Sequence, residues 1–160
     1  MSNSRYTQAE AELSYLRGSG IMSFSLALIL SGDIVSSLMK KMGVPEYFFI
    51  IQILLGVLAY GLMFYSFVAL SRAWNSMEDK SGWGFRFKDE YTNALSKKSY
   101  IFSLGMLTGW MFFVMMFSKP KIDFFGLSEM RIHDFATITV SLVFLSYSLP
   151  ILYSYWKKDE

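Results

Sequence analysis

Asp33 is the one charged residue in the apolar run Gly20–Met39. An ionised carboxylate in a membrane-spanning helix is costly, so it takes a partner, holds a proton or lines a polar path. Ser36 and Ser37 stand i+3 and i+4 from it, on the same helical face, and both can donate. Lys40 stands at i+7 on that face. Two other apolar runs carry polar residues at a similar level, Gln52 and Ser141. Counted from the outer ends of their runs, Asp33 and Ser141 lie about 9 Å deep and Gln52 about 7.5 Å. Thr108 and Trp110 fall near the same depth. Asp33, Gln52, Ser141, Ser36 and Ser37 are therefore expected to form an intramembrane polar layer. It serves as a hydrogen-bonded knot that sets helix register, as a seat for a partner's helix, or as an ion path.

Other chemistry is harder to assemble from this chain. His133 is the only histidine, so a bis-histidine haem site within one chain is excluded. Glu129 lies four residues before it, but one histidine with one carboxylate falls short of a metal centre. There is no cysteine, which removes disulfides, thiolate metal sites and thiol redox chemistry. Serine, histidine and aspartate occur without a nucleophile elbow, and no phosphate-loop pattern is present. No enzyme, cofactor or metal is expected. A net charge of +2 gives no dense basic face for nucleic acid.

The elements that must hold the polar residues follow from hydropathy. The chain is 53% hydrophobic and 18% aromatic over 160 residues. Four runs, 20–39, 47–70, 100–117 and 135–155, carry no charge apart from Asp33. About 20 apolar helical residues cross a hydrocarbon core of roughly 30 Å. The expected fold is an all-α integral membrane protein, a single domain over 1–160 with four transmembrane helices in an antiparallel bundle. The longest remaining stretch, 71–99, is too short for an independent soluble domain. Arg5 and Arg17 precede the first run as in a signal peptide. The charged region before it is long, however, and no A-x-A-like site follows, so the run is expected to be retained.

Lysine and arginine set the orientation. The two tails and the 71–99 loop hold ten, and the other two loops hold five. Both termini are expected in the cytoplasm, with the chain in the inner (plasma) membrane. Gly43 and Pro45 punctuate the first turn, and Pro150 is expected to kink the fourth helix.

Helices in lipid associate through small residues. Ser19, Ser23, Ala27 and Ser31 recur at i+4 in the first run, and Gly105 and Gly109 make a GxxxG pair in the third. Both are read first as packing faces within the bundle, and the GxxxG pair alternatively as a contact between protomers. In the central loop, WGFRFKDEY alternates Trp83, Phe85 and Phe87 with Arg86 and Lys88, a period of two. This stretch reads as an extended segment on the inner leaflet or as a cytoplasmic docking strand. The functional expectation is a non-enzymatic protein that binds a membrane or cytoplasmic partner, or a second copy of itself. It would be an accessory, immunity or defence-type component of the bilayer. The alternative is a small oligomeric channel or transporter using Asp33.

Overall fold

A computed structural model describes residues 7–41, 43, 45, 47–77, 87–117 and 132–157. Within the helices, the side chains at 33, 37–41, 47 and 117 lie outside that description. The described residues form four helices: α1 (Gln8–Lys41), α2 (Tyr47–Ser76), α3 (Glu90–Phe117) and α4 (Ile132–Lys157). Each is long and apolar enough to cross a membrane.

Local chemistry sets several boundaries. Thr7 and Glu10 form a reciprocal capping box at the start of α1. The Thr7 amide donates to Glu10 Oε2 at 2.8 Å, and the Glu10 amide donates to Thr7 Oγ1 at 3.4 Å. Beyond α1, Gly43 takes a φ of +64°, a left-handed conformation that glycine enters without a Cβ penalty. Asp89 caps α3: its Oδ2 accepts from the Thr92 amide at 2.8 Å and from the Thr92 hydroxyl at 2.7 Å.

The helices lie in the order α2, α1, α4, α3. α1 packs along both α2 and α4, α3 packs along α4 and touches α1 briefly, and α2 has only α1 as a substantial neighbour. Small residues build each seam. The α1 stripe Ala11, Gly18, Ser25 and Gly32 recurs every seventh residue, and so does the α2 stripe Gln52, Ala59, Ser66 and Ala73; in both, the members are buried or half-buried. A repeat of seven keeps one face turned to one neighbour. A Cβ on Gly18 would lie 3.1 Å from Leu70 Cγ, so the two helices are close there.

A second α1 face, with Leu16, Gly20, Ser23 and Ala27 buried, meets α4. A Cβ on Gly20 would stand 2.7 Å from Ile151 Cγ2, closer than real contacts allow, so that approach requires glycine. α3 turns Thr92, Ser96, Ser99 and Ser103 inward, all buried. Several of these hydroxyls bond a carbonyl of their own helix, as Ser25 does to Ile21 O at 2.8 Å, Ser66 to Met63 O at 2.8 Å and Ser99 to Leu95 O at 2.9 Å. A serine satisfied this way packs as a small residue.

Large apolar side chains in the spans face outward: Ile53, Phe64, Ile101, Phe112 and Met115 are all exposed. The cluster of buried large side chains sits instead at one end. It comprises Leu16, Phe87, Leu95 and Ile151, with Tyr15 and Tyr147 packed against it. Three of its four members lie outside the charge-free runs. The physical reason is a change of solvent. Lipid tails are as apolar as leucine and exert no pull between helices, whereas water at the helix ends drives large side chains together.

Candidate functional site

The polar residues of the spans fall in three seams, two of them on different sides of α1 and the third between α3 and α4. In the α1–α2 seam, Gln52 Nε2 donates to Gly32 O at 2.6 Å and also to Ser36 Oγ. The carbonyl of Gly32 has a second lone pair beyond the one its own helix uses, and that lone pair receives the amide. Gln52 Oε1 is buried and has no partner. Gln52 therefore ties the start of α2 to the end of α1.

Ser141 lies in the other seam of α1. It is buried, its Oγ has no partner, and it lines an apolar cavity of about 220 Å³ with Ala27, Ser31 and Leu145. Gln52 and Ser141 thus share a depth without sharing a site. Ser31 donates to its own Leu28 O at 3.1 Å. The side chains of Asp33, Ser37 and Lys40 lie outside the described residues.

The α3–α4 seam carries two further polar ties. Trp110 Nε1 donates to Thr139 Oγ1 at 3.0 Å, and Ser103 Oγ donates to Val143 O at 3.1 Å. Ser103 and Trp110 are seven apart and share a face. Gly105 and Gly109 fall on the far side of α3, exposed, with nothing within 4 Å of a Cβ built on either. The GxxxG pair does not pack within the bundle. The small hydroxyl residues of the opposite face do so instead. Ser23, Ala27 and Ser31 do lie on the side of α1 that meets α4.

At the aqueous end, Glu12 is 1% exposed, an unusual place for a carboxylate. Its Oε2 accepts from the Asp89 amide at 2.9 Å and its Oε1 from Gln8 Nε2 at 2.8 Å. Tyr15 lies 5.9 Å from the Trp74 ring and 6.4 Å from the Phe87 ring. Phe87, 5% exposed, is therefore a core residue and presents no docking surface, because the chain entering α3 needs an apolar anchor where it meets the bundle. Lys88 is exposed. Trp83, Phe85 and Arg86 lie outside the described residues.

No three His, Asp or Glu side chains converge as a metal site among the described residues. His133 is exposed, and its carbonyl accepts from Thr137 Oγ1 at 2.8 Å. Sequence reading missed the two small-residue heptads and the Glu12 tie. The heptads were there to be found as Ala, Gly or Ser at every seventh position, with Gln52 the one larger member. Comparison with protein-family models, curated proteins and solved structures finds no match to this chain.

Proposed function

We propose that the chain crosses the inner membrane as four antiparallel helices with both termini and the central loop in the cytoplasm. In this reading it acts without catalysis. It binds another membrane protein, or a second copy of itself, through the outward faces of α2 and α3, as an accessory, immunity or defence-type component does. The supporting observation is the open arrangement of the flanking helices. α2 is held along one seam, and Gly56, Gly61, Gly105 and Gly109 meet nothing within 4 Å. Small residues open to lipid are what a second helix needs for close approach. The ion-path reading gains nothing from Gln52 and Ser141, which stand in different seams.

The absence of cysteine makes the test clean. Single cysteines at Gly105, Gly109 or Leu54, labelled in membranes with a photo-crosslinker, are expected to yield one discrete protein adduct. Lipid adducts alone at all three positions would overturn the binding reading. A C-terminal fluorescent reporter should be bright if that end is cytoplasmic. Export of the reporter would reverse the orientation.

A further inference from the structure

A groove of about 740 Å³ opens between α2 and α4 with α1 as its floor. Gly18 and Ile21 of α1, Tyr65 and Ala69 of α2, and Leu149 and Trp156 of α4 line it. Its volume lies within the range of small-molecule sites, roughly 300–1,000 Å³. A second groove of about 470 Å³ adjoins it, sharing Ser14, Tyr65 and Ala69 and adding Arg72. Neither lining contains an acidic residue, and each contains one arginine, Arg17 or Arg72.

The charge sits at one end only. Arg17 precedes the apolar run by three residues, about 4.5 Å outside it. Leu149 lies six residues inside the end of the fourth run, about 9 Å deep. The groove therefore runs from headgroup level into the hydrocarbon, cationic outside and apolar inside. Arg17 is half-buried, and its guanidinium carbon lies 4.8 Å from the centroid of the Tyr155 ring. Stacking uses the face of a guanidinium and leaves its in-plane N–H groups for a forked contact with phosphate. Among the described residues no carboxylate pairs with Arg17. Tyr153, Tyr155 and Trp156 surround the mouth, as aromatic residues do at a membrane interface.

We propose that this groove holds one anionic phospholipid, its phosphate on Arg17 and one acyl chain along Ile21, Ala69 and Leu149, with Arg72 of the adjoining groove adding to the positive field. The lipid comes from the leaflet that meets the N-terminal end of α1. Charge complementarity selects this occupant: a zwitterionic lipid brings its own cation to a mouth that already holds Arg17 and no acid, and an apolar helix leaves that arginine unanswered. The assignment rests on the reading that the helices cross a membrane.

The test is native mass spectrometry of the full chain in mild detergent, offered phosphatidylglycerol or phosphatidylcholine with identical acyl chains. One phosphatidylglycerol per chain is expected to survive collisional activation that strips phosphatidylcholine. Arg17→Gln should weaken that retention about fivefold, equivalent to the roughly 1 kcal/mol of one basic side chain at an anionic surface. Ala69→Phe keeps both charges and fills the acyl path, and it should weaken retention as well. Circular dichroism and size exclusion verify that each variant is folded. Equal retention of the two lipids by the wild type overturns the proposal, as does undiminished phosphatidylglycerol on both variants. Extraction of the chain from membranes by alkaline carbonate would overturn the membrane reading itself, and the lipid site with it.

Discussion

Two glycines in the spans should respond to the same substitution with opposite signs. Gly20 lies where α1 meets α4, and an added methyl would stand 2.7 Å from Ile151 Cγ2 and 3.1 Å from Ile151 Cβ. Ile151 is fully buried, and because its branched Cβ as well as its Cγ2 crowds the added methyl, a turn about χ1 does not clear the contact. Overpacking of this kind costs about 1–3 kcal/mol, against a helix-propensity gain of about 0.5–1 kcal/mol for replacing glycine by alanine. Gly20→Ala is therefore expected to lose about 1–2 kcal/mol net. Gly105→Ala makes the same change where nothing lies within 4 Å. It keeps the propensity gain alone, about 0.5–1 kcal/mol. Titration of the folded chain with sodium dodecyl sulfate in mixed micelles, read by tryptophan fluorescence, should separate the two by about 2 kcal/mol. Ile151→Ala makes room for the methyl. The double variant should then be more stable than the two single losses predict, by about 0.5–3 kcal/mol. Equal midpoints for Gly20→Ala and Gly105→Ala, or strict additivity in the cycle, would refute the close approach of α1 and α4.

Glu12→Ala strands the Asp89 amide and should cost about 1–3 kcal/mol, while Glu12→Gln keeps an acceptor there and should cost less. Hydrogen exchange in the first turn of α3 reads the difference, and equal protection in both variants would contradict the tie. Gln52→Leu removes the donations to Gly32 O and Ser36, and polar contacts between membrane helices average about 0.6 kcal/mol with a maximum near 1.7. A loss well above about 2 kcal/mol in the same detergent titration would show that Gln52 does more than the seam reveals. Phe87→Ala removes the one aromatic among the four members of the buried cluster and should cost about 3–5 kcal/mol. A near-neutral result in thermal unfolding would place Phe87 outside the core.

Four helices were legible because each apolar run is long enough to cross a bilayer and poor in charge. α3 begins at Glu90, ten residues before its apolar run, where Asp89 caps it. What hydropathy could not supply was azimuth. In a soluble bundle the apolar stripe marks the inside, but in these spans apolar residues lie on every side, so periodicity of hydrophobicity carries little information. Counting depth put Gln52 and Ser141 at one level and left open that they stand on different sides of α1. Size is the better signal. Ala11, Gly18, Ser25 and Gly32 repeat at seven, a spacing that tracks one neighbour. Ser19, Ser23, Ala27 and Ser31 repeat at four and drift around the helix by about 40° per step. GxxxG in α3 was equally ambiguous, since two glycines say that a backbone can be approached and not by what. Phe87 was read with Phe85 as one alternating strip, yet a chain re-entering a helix bundle needs an anchor, and the last aromatic before Asp89 supplies it.

The tie between Glu12 and Asp89 has a consequence for how the chain is made. The two residues are separated by 77 positions. During synthesis α1 and α2 leave the ribosome while Asp89 is still inside it. Over that interval Glu12 has no amide to receive it, and Leu16 lacks Phe87, Leu95 and Ile151. The N-terminal turns of α1 are then held by the capping box and by the α2 seam, where Tyr15 meets Trp74, until the second pair of helices arrives. A chaperone or insertase that shields this segment would act in that interval.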